Sequence, residues 1–250
     1  MRIARLAVSL SFVLATFATT ACSNKAQECK TVIDTIDDDD AALKGVDLDT
    51  EDYPTLAVNL KKAADLVDKV ATDLAGKTVK DADLAKESSD YQAFAKALAT
   101  ELRGFGDLVG KLGDALSKLS PMAKSLTAGL HKMQTRCQAG DKTVAADCAT
   151  IDKAMKNAPD QDAFKFDKDL KEDADAFSKF AAELKALTPA DKDLKAGLDE
   201  VVKGLGTLEG VMRSMAELKP KFDENHAALK ATLAKEAPIE RHINETCAAK

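Results

Sequence analysis

The feature that most constrains this chain is an apolar stripe that recurs about 110 residues after its first appearance. From Ser89 to Cys137 apolar residues fall three or four apart, through Tyr91, Phe94, Leu98, Leu102, Phe105 and Val109 and on to Leu126, Leu130, Met133 and Cys137. That step keeps one face of an α-helix turned toward a core. A shift of 110 carries Leu98 onto Leu208, Leu102 onto Met212, Arg103 onto Arg213, Leu108 onto Leu218 and Cys137 onto Cys247. It also carries Thr78, Asp81, Asp83 and Leu84 onto Thr188, Asp191, Asp193 and Leu194. Self-similarity at a fixed period marks an internal duplication, here of a helical unit.

The rest of the chain reads as helix too, because Ala, Leu and Lys lose little side-chain freedom in that conformation. Cys29, Val32, Ile33, Ile36 and Leu43 start a first stripe that contains the acidic run Asp37–Asp40. Gly45–Pro54 breaks it. Leu56, Leu60, Ala63, Val67, Val70 and Leu74 then alternate steps of four and three, a heptad seam. Gly76 and the polar stretch Lys77–Asp83 turn the chain into the long arm. In the second half Gln138–Lys142 is a linker, Val144, Cys148, Ile151 and Met155 open the unit, and Asn157-Ala158-Pro159 breaks it. Leu170, Phe177, Phe180, Leu184 and Leu187 form the next seam, and Thr188 reads as a helix cap with Pro189 at the first helical position.

Pro121 and Pro220 occupy similar places in the two arms, and the stripe keeps phase through both, which predicts kinks rather than breaks. Gly104, Gly106, Gly110 and Gly113, with Gly197, Gly204, Gly206 and Gly210, read as matching sites of close helix approach. The expected fold is all-α: an elongated helical bundle of two duplicated hairpins, residues 29–139 and 144–250, packed as one body.

Arg2 and Arg5, the apolar run Leu6–Ala18 and the small residues Thr19-Thr20-Ala21 form an export signal over residues 1–21. Thr-Thr-Ala-Cys, with Thr19 where the motif usually has Leu, resembles the lipobox of bacterial lipoproteins. The resemblance covers about two dozen residues and implies a lipid, palmitate included, on Cys22, with 22–28 as a tether. Ser23 after the cysteine implies sorting to an outer membrane, facing the periplasm. Each buried methylene of an acyl chain adds about 0.8 kcal/mol to such an anchor. Assigning Cys22 to lipid leaves Cys29, Cys137, Cys148 and Cys247, an even set that an oxidising compartment would pair. The repeat suggests Cys29–Cys137 with Cys148–Cys247, and Cys29–Cys247 with Cys137–Cys148 suits the same geometry.

The chain carries a formal net charge of −6 and no basic stripe, which argues against nucleic acid as a partner. His131, His226 and His242 stand at no ligand spacing and read as surface or seam residues. Asp47, Asp49 and Glu51 follow the start of a calcium loop, but Asp52 replaces its glycine and Val58 its closing Glu, so a solvated linker is expected. Met122, Met133, Met212 and Met215 fit the apolar stripe better than a copper site. The sequence therefore predicts no cofactor, no metal and no enzyme. It predicts a lipid-anchored, partner-binding helical module of the cell envelope, with a helical carrier of a small apolar ligand or metal as the alternative.

Overall fold

A computed structural model describes residues 24–159 and 169–248, so the expected export signal and Cys22 lie outside the described residues. Every regular element among them is helical, as the stripe requires: α1 (Asn24–Leu43), α2 (Tyr53–Ala75), α3 (Ala82–Ser117), α4 (Leu119–Gln138), α5 (Ala145–Met155), α6 (Leu170–Lys185), α7 (Lys192–Leu233) and α8 (Glu236–Ala248). The protein is all-α. Residues 24–28, expected as tether, are already the first turns of α1.

The chain divides into two compact units, and the division does not follow the repeats. One unit takes the residues up to Gly110 together with those from Lys221 onward; the other is Lys111–Pro220. The two dividing lines are 110 residues apart, the period of the duplication, and fall at equivalent places within α3 and α7. Each unit therefore combines the first part of one repeat with the last part of the other. The sequence reading, in which each repeat folded on itself, is corrected in this respect.

In the first unit α1 folds back along α2 and also meets α8. The residues 44–52 that looked like a break within one arm are a reversal. Val32 and Ile36 of α1, Val67, Val70 and Leu74 of α2, and Leu84, Phe94 and Leu98 of α3 share one buried cluster, closed by Leu229 and Ile243 from the chain's end. Burying a side chain of this size contributes about 1.5–3 kcal/mol. A second cluster joins Leu56 and Leu60 to Phe105 and Val109. Phe222 packs on it, its ring 5.6 Å from that of Phe105 and nearly perpendicular, the favoured edge contact. Gly104 makes room for the Asn225 amide, which donates to the Glu101 carbonyl at 3.3 Å and carboxylate at 3.1 Å.

In the second unit α4 crosses α7 at two glycines. A Cβ on Gly129 would lie 2.5 Å from the Gly197 carbonyl oxygen and 2.9 Å from the Val201 nitrogen, both backbone atoms. A Cβ on Gly197 would meet Met133 and the Gly129 carbonyl below 3.0 Å, and one on Gly204 would strike Leu126. Here Gly129 rather than Leu130 faces the core, and Leu130 is 43% exposed. Gly206 and Gly210 have no such neighbour. The eight glycines singled out by sequence are not equivalent: Gly104 and Gly106 shift onto Ser214 and Ala216.

The prolines differ too. Pro220 lies inside an unbroken α7 of 42 residues. At Pro121, by contrast, the α-helix lapses for one residue: the Lys118 N–H turns to the Ala115 carbonyl, three residues back, and α4 starts afresh at Leu119. Pro121 has no N–H for the Ser117 carbonyl, the loss that a proline imposes one turn earlier. In repeat register Pro220 matches Gly110 and Pro121 matches Ala231, so they are not copies.

Two expectations follow. Gly129→Ala should lower unfolding free energy in urea by about 1–3 kcal/mol, because backbone on both sides cannot yield. Gly206→Ala should raise it by about 0.5–1 kcal/mol, the ordinary gain of alanine over glycine in a helix.

Candidate functional site

The reactive side chains converge at a corner repeated in both units. In the first, Cys29 of α1 is bridged to Cys247 of α8; in the second, Cys137 of α4 is bridged to Cys148 of α5. Of the two pairings open in the sequence, the structure takes the one that crosses the repeats. The other fails because α1 reverses onto α2. The reversal sets Cys29 beside the turn before α3, where α8 arrives, rather than at the open end of a hairpin.

The acidic residue before the first cysteine of each repeat, Cys29 and Cys148, fixes that turn. The Glu28 carboxylate accepts from the backbone N–H groups of Lys80 and Asp81 at 3.0 and 3.1 Å. Asp147 accepts from the Ala190 N–H at 3.0 Å, the position equivalent to Lys80. A shift of 119 relates these helices, carrying Glu28-Cys29 onto Asp147-Cys148, Val32 onto Ile151 and Ile36 onto Met155. Sequence comparison at a single period of 110 missed it, because the connection after the first helix is nine residues shorter in the second copy (119 against 110).

The next helix in each unit is capped by an aspartate at equivalent positions. Asp81 accepts from the Leu84 N–H at 3.0 Å, and Asp191 from the Asp193 and Leu194 N–H groups at 3.0 and 2.9 Å. These bonds satisfy donors that a helix leaves open at its start. Thr188, expected as the cap, precedes the helix, and Pro189 is not its first residue. A cation holds each capping aspartate: Lys25 at 3.2 Å from Asp81, and Arg136 at 2.8 Å from Asp191. Arg136 also grips Asp141 at 2.9 Å, beside Gly140, whose φ of +70° only a glycine adopts readily. A further ion pair repeats: Arg103 with Asp65 and Arg213 with Asp175, each 38 residues apart.

The capping roles hold these carboxyls in the charged form. Backbone N–H groups, Leu84 and Leu194 first, lower the Asp81 and Asp191 carboxyls below the ordinary value, with Lys25 and Arg136 adding to it. Asp141 is lowered to about 2 by the side chain and backbone of Thr143 and then by Arg136.

The remaining candidates fall apart spatially or pack away. His131, His226 and His242 are exposed, and His242 Nδ1 lies 3.8 Å from Glu87 Oε2. Met133, Met212 and Met215 are buried. Asp47 accepts from the Asp49 N–H and Asp52 caps α2 through the Thr55 N–H, so that loop closes on its own backbone. Among the described residues no three His, Cys, Asp or Glu side chains stand where they could share a metal ion. The first unit has an apolar cavity of about 20 Å³ between Ile36, Val67, Tyr91 and Phe94, room for one water. The second has an open cleft of about 390 Å³ lined by His131, Lys132, Thr135, Arg136 and Asp193. No helix among the described residues is long and apolar enough to cross a membrane.

No family model, curated protein or solved structure matches the chain.

A group whose folded pKa is depressed stabilises the fold above its unfolded value and loses that effect as pH falls toward the folded one. For Asp141 the window runs from its ordinary 3.8 down to about 2. Carboxyl NMR should show Asp141 titrating near 2, and Asp141→Asn should flatten part of the loss of stability seen in that window. A titration near the ordinary value would contradict the Thr143 and Arg136 contacts.

Proposed function

We propose that this protein is a lipid-anchored, non-catalytic helical module of the bacterial cell envelope, held by an acyl group on Cys22 and presenting its helical surface to an envelope partner. The observation that carries the reading is cysteine pairing. Cys29, Cys137, Cys148 and Cys247 bridge one another among the described residues, so of the five cysteines in the sequence Cys22 is the one outside these two bridges. It is also the thiol that follows the export signal and the lipobox-like Thr-Thr-Ala. Two bridges suit an oxidising compartment outside the cytoplasm, and Ser23 favours passage to an outer membrane, facing the periplasm.

The start of α1 supports one consequence. Asn24, two residues after Cys22 in the sequence, is already helical. An acylated Cys22 would hold the first unit close to the bilayer rather than on a free tether. Exposed Lys and Asp pair four apart, as at Lys30–Asp34 and Lys69–Asp73, so a partner would meet a strongly charged helical surface. The carrier alternative gains nothing from the first unit's 20 Å³ cavity.

Expression of the full chain in a bacterial host, with intact-mass analysis of the membrane fraction, tests the reading. The expected mass is that of the chain from Cys22 plus its acyl groups, and Cys22→Ser should move the protein to the soluble fraction. An unmodified mature mass, with wild type and variant both soluble, would overturn it.

A further inference from the structure

The two disulfides stand in unlike surroundings. Cys29 is 5% exposed and belongs to the main buried cluster of the first unit, beside Val32, Ile36 and Ile243, with Cys247, itself half-buried, packed against it. Those side chains hold the two helices together whether or not the sulfurs are joined. Cys137 and Cys148 are both half-buried, and both lie outside the buried core.

What Cys137–Cys148 holds is also weak. Helix α5 has 11 residues and one buried side chain, Ile151. A helix of that length is marginal in water without packing. Besides the bridge it is fastened by the Asp147 carboxylate on the Ala190 N–H, and its lead-in by Val144 and by the Thr143–Asp141–Arg136 contacts.

We propose that Cys137–Cys148 is a redox-sensitive latch, opened selectively by a dithiol reductant, and that its opening frees α5 while the Cys29–Cys247 bridge stays closed. In the reaction one thiolate of the dithiol attacks a sulfur of the bridge, forming a mixed disulfide as the Sγ–Sγ bond breaks. The other cysteine leaves as a thiolate and takes up a proton. The second thiol of the reductant then displaces the first cysteine, so two electrons pass to the protein, which ends with two thiols, and the reductant ends as its disulfide. Access favours attack on Cys137–Cys148, where both sulfurs are half-buried, over Cys29–Cys247, where only Cys247 is. Reclosure favours survival of the other, because the packed cluster keeps Cys29 and Cys247 together after a transient opening. At α5 a single buried isoleucine gives much weaker retention.

The test uses the folded full chain with both bridges formed, titrated with dithiothreitol, quenched by alkylation and mapped by peptide mass. Hydrogen exchange is followed in parallel. Cys137 and Cys148 should be alkylated at reductant levels at least about tenfold below those that label Cys29 and Cys247. Amides of α5 should lose protection by about tenfold or more at the same point, with α1 and α8 unchanged. A Cys137→Ser/Cys148→Ser double variant should show the exposed α5 without reductant. Labelling of Cys29 and Cys247 first or together with the other pair would overturn the proposal. So would an α5 that stays protected once its bridge is open, read in the wild type should the variant fail to fold.

Discussion

The architecture depends on how the last part of each repeat is fastened to the first part of the other. In the first unit this closing segment is residues 221–248, held by Phe222 against Phe105, Asn225 on Glu101, Leu229 and Ile243 in the core, and Cys247 on Cys29. In the second the equivalent segment is held by Ser125 on Glu200 and Gly129 against Gly197. Arg136 on Asp191 and Cys137 on Cys148 complete it. The anchoring cysteine is conserved between the copies, yet the packing devices are different. One crossing is built from aromatic rings and an amide, the other from two backbones in near contact.

Acidic residues have a common employment in both units. Glu28, Asp52, Asp81, Asp147 and Asp191 each accept from backbone N–H groups at a turn or helix start. Such bonds satisfy donors that would otherwise face the turn unpaired, and a charged acceptor makes them stronger than neutral ones. That explains how a chain with 42 acidic residues can place several of them at its corners. The bridges then lock what the carboxylates shape. On the chain-entropy account a bridge across 218 residues contributes about 5 kcal/mol and one across 11 residues about 3 kcal/mol.

Much of the fold was legible in the sequence, because periodicity reports which face of a helix is buried. The seam from Leu56 to Leu74 is buried at each expected position, as are Tyr91, Phe94, Leu98 and Val109. Connectivity was harder to read, since a stripe says that a face is covered but not by which segment. The loop at 44–52 could extend or reverse the chain, and its reversal decides which cysteines meet. Beyond Lys118 the stripe still holds at Leu126, which meets Gly204, and at buried Met133, and it fails at Leu130, where Gly129 brings the two backbones together instead. Gly129 carried no signal at all, as a buried glycine adds nothing to an apolar pattern. The repeated Glu-Cys and Asp-Cys pairs were readable, but at a shift of 119 rather than 110.

The central claim is that the closing segments cross between the repeats, and the sulfur linkage tests it most directly. Proteolysis of the unreduced protein, followed by mass mapping of the linked peptides, should join the peptide of Cys29 to that of Cys247 and the peptide of Cys137 to that of Cys148. Linked peptides joining Cys29 to Cys137, or Cys148 to Cys247, would show each repeat closing on itself and contradict the account.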